Sequence, residues 1–177
     1  MSLNLKIIAK SSRTAFERKV STIQKDKVLR IFANLIFRNK NKIFKENHKD
    51  IKFAKKKGLK ENFVKRLEIN ENTITSIIKS INQIIKIKDP TNKILDKWKR
   101  PNGLIINKVT VPIGVVAVIY ESRPNVTSDV ASLCFKSGNA VILRGGSEAF
   151  NTNKIISNLF RKSLKACGID QNYLQFI

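Results

Sequence analysis

The chain has 177 residues, 35 of them Lys or Arg against 13 Asp or Glu, and a formal net charge of +22 at pH 7. Such a length suffices for a core of its own, no run approaches the roughly 20 apolar residues of a membrane span, and two cysteines without metal-ligand spacing fit a reduced, cytoplasmic chain. The charge is uneven: residues 1–110 carry 28 basic and 9 acidic side chains, whereas residues 111–148 carry 3 of each, which argues against a nucleic-acid interface in that stretch.

Leu3, Ile7, Ile8, Ala15 and Phe16 recur at helical spacing and predict a first helix ending near Lys19. Met1 to Lys10 is too short and too charged for a secretory core. Ser21 with Gln24 forms a capping box for a second helix. Val28, Ile31, Phe32, Leu35, Ile36 and Ile43 then mark one or two amphipathic helices over 22–46, and a further helical stretch with Ile51, Phe53 and Ala54 closes at Gly58. Phe63, Val64, Leu67 and Ile69 suggest a short helix. Asn70 or Asn72 caps the next, whose stripe is Ile74, Ile77, Ile78, Ile81, Ile84 and Ile85, and Asp89-Pro90 ends it. From Lys93 the pattern loosens, and Pro101-Asn102-Gly103 followed by the alternation Leu104 to Val111 reads as a turn and an extended strand.

Val115 to Ile119 is uncharged and β-branched apart from Ala117, the reading of a strand buried on both faces of a parallel sheet. It ends in Glu121, Ser122, Arg123, Pro124 and Asn125, and ligands of open α/β sheets bind beyond such carboxyl ends. Thr127 or Ser128 caps a helix with Val130, Leu133, Cys134 and Ser137 on one side, stopped by Gly138. Ala140 to Leu143 is a second buried strand, ending in Arg144, Gly145, Gly146, Ser147 and Glu148. A helix from Asn153 to Ala166 and a strand from Leu174 complete a β-α-β-α-β pattern, which implies parallel strands.

Val-Pro-Ile-Gly-Val-Val-Ala-Val-Ile-Tyr-Glu-Ser-Arg-Pro-Asn-Val-Thr from Val111, with Ser-Gly-Asn-Ala-Val-Ile-Leu-Arg-Gly-Gly-Ser-Glu from Ser137, closely resembles the γ-glutamyl phosphate reductases (glutamate-5-semialdehyde dehydrogenases) of the aldehyde dehydrogenase superfamily. The match before residue 100 is looser. The resemblance implies an α/β fold in which a helical amino-terminal region precedes the first βαβ units of a Rossmann-like parallel sheet. Residues 1–92 would be the helical part of the cofactor-binding domain, 93–112 an extended β segment toward an oligomerisation element, and 113–177 a partial NADP-binding domain. Members of the family are more than twice as long, so an amino-terminal portion without the catalytic domain is expected.

What the family does is reduce L-glutamyl 5-phosphate to L-glutamate 5-semialdehyde and phosphate with NADPH, in proline biosynthesis. A homo-oligomer and a functional link to glutamate 5-kinase are implied with it. By the same resemblance Asn125 aims an amide at the acyl carbonyl oxygen, a donor that needs no ionisation, although Asn125 could instead cap the helix after Pro124. Arg123 could bind the phosphate or the substrate carboxylate through paired bonds, or be held in an ion pair by Glu121 or Asp129. Arg144 faces the adenosine ribose, with Gly145, Gly146 and Ser147 letting backbone approach the 2′-phosphate; an ordinary turn after a strand also uses glycine.

The family's nucleophilic cysteine would lie beyond residue 177. Cys134 and Cys167 on their helices read as small core residues, so the chain alone is expected to lack reductase activity. Its 26 Lys against 9 Arg match AT-rich codon usage, whereas readers of nucleic acid lean on Arg and stacked aromatics. His48, among Asn, Lys and Asp, reads as a solvated helix residue. A non-catalytic interaction module or a relic of the reductase is the alternative reading, ahead of a basic nucleic-acid-binding protein.

Overall fold

The computed structural model describes residues 2–177. Helices α1 (Ser2–Glu17), α2 (Thr22–Arg38), α3 (Lys40–Lys56), α4 (Glu61–Leu67) and α5 (Glu71–Lys86) come first, followed by an antiparallel hairpin of β1 (Ile94–Lys99) and β2 (Ile105–Val109). The remainder is β3 (Val115–Ile119), α6 (Pro124–Lys136), β4 (Ala140–Arg144), α7 (Phe150–Ala166) and β5 (Leu174–Phe176), with the three strands parallel in the order β3-β4-β5. The α/β class and the small parallel sheet are those expected.

The helix signals act as their chemistry requires. Ser21 accepts from Gln24 N and Gln24 Oε1 accepts from Ser21 N at 3.0 Å, so the box caps α2. Asn70 and Thr73 form the same reciprocal cap on α5. The apolar run over 22–56 breaks once, at Asn39, whose amide donates to Leu35 O at 2.8 Å; what reads as a separate stretch at Ile51 is the end of α3. Phe32, Phe135, Phe160 and Tyr173 meet edge to face at centroid separations of 4.9–5.6 Å where α2, α6 and α7 join the sheet.

Local expectations for α6 and β3 are corrected. Helix α6 begins at Pro124, not after Thr127 or Ser128: Arg123, extended at φ −114° and ψ 105°, is the boundary residue, and proline suits the first helical position because its missing N–H would be unpaired there anyway. Its buried side is Thr127, Ser128, Ala131 and Phe135, while Leu133 is 49% exposed and Cys134 is half-buried. β3 is not buried on both faces. Among the described residues it is the edge of the sheet, and Ile119 is 81% exposed, whereas the central strand β4 has Ala140, Val141 and Leu143 buried. β1 pairs with β2 although Ile94 to Lys99 lacks alternation. All six of its residues are exposed.

Candidate functional site

The carboxyl ends of β3 and β4 lie side by side, with Ile119 opposite Arg144 and Tyr120 N donating to Arg144 O at 3.1 Å. Around the tip of β3 the surface divides into two crevices. One, of about 450 Å³, runs between α5 and α6, where Asn72, Thr73, Ser76 and Ser80 face Asn125 and Asp129. The other, of about 260 Å³, lies under α4, where Phe63, Arg66 and Leu67 face Glu121, Arg123 and Glu148.

Asn125 is in the first turn of α6 and exposed; the boundary position belongs to Arg123, and Asn125 makes no capping bond. Only its carbonyl is used, accepting from Ser128 Oγ at 2.7 Å. The amide is therefore free to donate, at the positive end of a helix dipole. Asp129, one turn on, accepts from Ser80 Oγ at 2.7 Å. Arg123 is not with Asn125. Its Nε lies 3.0 Å from Glu121 Oε1, and Arg66 stands 4.0 Å from the other oxygen, so the Glu121 partner that the sequence allows is the one taken.

The turn after β4 is knitted to the body. Ser122 Oγ donates to Glu148 Oε2 at 2.9 Å, Ser147 Oγ donates to Oε1 at 3.0 Å, and Lys57 lies 3.8 Å away. The bond from its own backbone N–H, then that from Ser122, hold the Glu148 carboxyl below its ordinary range. Gly145 and Gly146 are required by packing. A Cβ at Gly145 would stand 3.0 Å from the Tyr120 ring and overlap Asn153 Nδ2, and one at Gly146 would overlap Ser122 Oγ. Tyr120 in turn bonds the Thr127 hydroxyl at 2.7 Å, and Thr127 donates to Asn153 Oδ1 at 2.8 Å. Arg144 is exposed and forms no ion pair among the described residues, so its charge is open to a phosphate. Arg144 is thus open to a ligand whereas Ser147 is bonded to Glu148, and the glycines hold the turn that carries both.

Two residues that position this turn carry no sequence signal of their own. Asp50 on α3, 2% exposed, accepts from Asn151 N at 3.1 Å, Asn151 Nδ2 at 2.8 Å, Thr152 N at 2.8 Å and Thr152 Oγ1 at 2.6 Å, capping α7 from another helix. Asn47, one turn earlier, donates to Leu67 O and Thr152 Oγ1 and accepts from Ile69 N, tying the end of α4 to the same place. Neither cysteine is activated: burial pushes both thiols up, with Lys27 opposing the effect at Cys167. No described helix is long and apolar enough to cross a membrane.

No protein-family model matches the chain. It is 46% identical over 172 residues to a γ-glutamyl phosphate reductase of Carboxydothermus hydrogenoformans, covering 96% of this chain and 41% of that protein. The crystal structure of a γ-glutamyl phosphate reductase from Thermotoga maritima superposes with a TM-score of 0.95 at 39% identity, over 98% of this chain and 42% of that one. A probable aldehyde dehydrogenase from Listeria monocytogenes shares the fold at a TM-score of 0.70 and 16% identity, over 98% of this chain and 36% of that one. The chain spans 32% to 43% of the length of the curated relatives it matches.

Proposed function

From the premise that this chain is homologous to the γ-glutamyl phosphate reductases of the aldehyde dehydrogenase superfamily, we propose that it serves the NADPH-dependent reduction of L-glutamyl 5-phosphate to L-glutamate 5-semialdehyde and phosphate. The observation that carries this reading is the Asn125 amide: exposed, unbonded, and at the start of a helix beyond the carboxyl end of a parallel strand. When a thiolate attacks an acyl carbonyl, negative charge develops on the oxygen, and a preplaced neutral donor with a helix dipole behind it stabilises that charge. Losing one such donor costs about 10²–10³ in rate.

NADPH, when bound, supplies the hydride. Arg144 would hold its 2′-phosphate, Ser147 would add a hydroxyl only by releasing Glu148, and Gly145 and Gly146 keep the turn close against Tyr120 and Ser122. Arg123 would bind substrate phosphate or carboxylate only by releasing Glu121. The thiol that the reaction needs is neither Cys134 nor Cys167, both of which burial disfavours as thiolates. In this reading it belongs to the part of the relatives' length that the chain does not span.

The hairpin supports an oligomer: Ile94, Leu95, Trp98, Leu104 and Ile105 are 41–61% exposed on a protruding β1–β2. An acyl phosphate substrate also implies a kinase that makes it, which is the functional link to glutamate 5-kinase. The test of the cofactor reading is titration of the purified chain with NADPH and NADH by fluorescence. NADPH is expected to bind more tightly, with Arg144→Ala weakening it about 10-fold or more, since a bond to a charged group contributes about 1.5–3 kcal/mol. Equal affinity for the two cofactors, or an Arg144→Ala protein that binds as before, would remove Arg144 from the site.

A further inference from the structure

We infer that the crevice between α5 and α6 seats the α-amino acid head of the substrate, with Asp129 taking the ammonium group. This assignment rests on Asn125 being the donor to the acyl carbonyl oxygen. Its independent support is the state of Asp129. Most carboxylates in this Lys-rich chain sit in ion pairs; those outside any ion pair among the described residues are Asp50, Glu68, Asp96 and Asp129. Asp50 is consumed by four bonds at the start of α7, and Glu68 and Asp96 are exposed surface residues. Asp129 alone is half-buried in a crevice, with a single protein donor, Ser80, on one of its oxygens. A carboxylate kept apart from cations in a chain of net charge +22 is a site for a cation brought by a ligand.

The rest of the crevice is polar. Its lining includes no lysine or arginine to compete for Asp129, and Asn72, Thr73, Ser76 and Ser80 line it from α5. Spacing sets the length of the ligand. Asn125 and Asp129 stand four apart on one helix, so their Cβ atoms are about 5–6 Å apart, a span suited to a side-chain carbonyl joined to an α-carbon through two methylenes. A carbonyl oxygen on Asn125 then brings the α-ammonium to Asp129. A phosphate is unwelcome beside that carboxylate, which directs the phosphoryl end out of this crevice.

The test uses the chain as it stands, with L-glutamate as the stable probe and glutarate, which lacks the ammonium group, as its control. Binding is followed by backbone amide shifts. L-Glutamate is expected to move the signals of residues 70–80 and 125–129 and to bind at least about 10-fold more tightly than glutarate, the loss typical when a charged group goes unpaired. Asp129→Asn should abolish that preference, Asn125→Ala should weaken both probes alike, and Ser80→Ala, which keeps the carboxylate, should retain the preference. The last variant prevents a packing defect from imitating the result. Equal binding of the two probes, a preference that survives Asp129→Asn, shifts elsewhere in the protein, or no glutamate binding in a chain whose NADPH affinity still depends on Arg144 would each overturn the head-group assignment and leave the cofactor reading standing. Loss of both glutamate and NADPH binding would overturn the two together.

Discussion

The tips of β3 and β4 are neighbours in one sheet, joined by Tyr120 N and Arg144 O, yet they are built in opposite ways. Beyond β4 nearly every group is committed: Glu148 to Ser122 and Ser147, the following helix to Asp50, and the space beside each glycine to a side chain. Beyond β3 the polar groups that matter are open, with Asn125 unbonded and Asp129 half used. A site needs both kinds of tip. The tied one holds position, and the open one leaves hydrogen-bonding capacity for a ligand, which is the division expected where a supporting shell orients the groups that touch substrate.

The sharpest way to break the tied tip is Asp50→Ala. It leaves Asn151 N and the Thr152 N–H and hydroxyl without their buried acceptor, so a loss of about 3 kcal/mol is expected, since each unsatisfied buried group costs about 1–3. For a chain of this size that lowers the melting temperature by about 6–12 °C, which calorimetry would show. Gly145→Ala comes next. The new methyl group meets the Tyr120 ring and the buried Asn153, and overpacking of this kind costs about 1–3 kcal/mol. Adding Tyr120→Leu should recover part of that loss, because one of the two obstacles is then reduced. A melting temperature unmoved by either change would mean that the turn is looser than its contacts indicate.

Acid should loosen the tied tip by a smaller amount. The Glu148 carboxyl is held below its ordinary range, by its own backbone N–H first and by Ser122 next. A folded-state pKa below the unfolded value means that the stabilisation is present above the unfolded pKa, about 4.3 for Glu, and is lost as pH falls through the folded one. Asp89 adds acid sensitivity elsewhere: despite opposing burial, bonds from Lys25, Thr91 and Thr22 hold it far below the carboxylate range. Glu148→Gln should therefore reduce the fall in stability below about pH 4 while leaving the share due to Asp89. Hydrogen-exchange protection at residues 145–149, measured against the intrinsic rate at each pH, should fall first as pH drops, and an unchanged acid slope in Glu148→Gln would assign the whole effect to other groups.

Much of the fold was legible because its signals are local. Ser21 with Gln24 and the isoleucine stripe of α5 state their structure within one or two turns, and so do the paired strand-then-polar runs at Val115 and Ala140. The candidates Asn125 and Arg144 were legible through the motif around them. What stayed hidden depends on distant partners. Nothing near Asp50 announces that it caps a helix starting 100 residues later, since an Asp amid lysines reads as surface. The exposure of β3 follows from its edge position, which the composition of Val115 to Ile119 does not encode. Asp129 reads as a helix residue or a partner for Arg123 until Ser80 and the α5 crevice are placed around it.

The smallest expected effect is the most discriminating one for the open tip. Asn125→Ala removes an exposed side chain that makes no capping bond, from a helix position where alanine has the better intrinsic propensity. Stability should therefore change by no more than about 0.5 kcal/mol, with unfolding midpoints in urea superimposable on those of the parent chain. A structural cap behaves differently: replacing an Asn that satisfies a first-turn N–H costs about 1 kcal/mol. The same denaturation curve thus separates the two roles the sequence allows for Asn125. If the midpoint falls by the amount typical of a lost cap, the residue is holding α6 together and its amide is not free. If the midpoint stays and binding of both L-glutamate and glutarate weakens, the side chain contributes to the ligand and not to the fold, which is the signature of a donor kept open at the end of a strand.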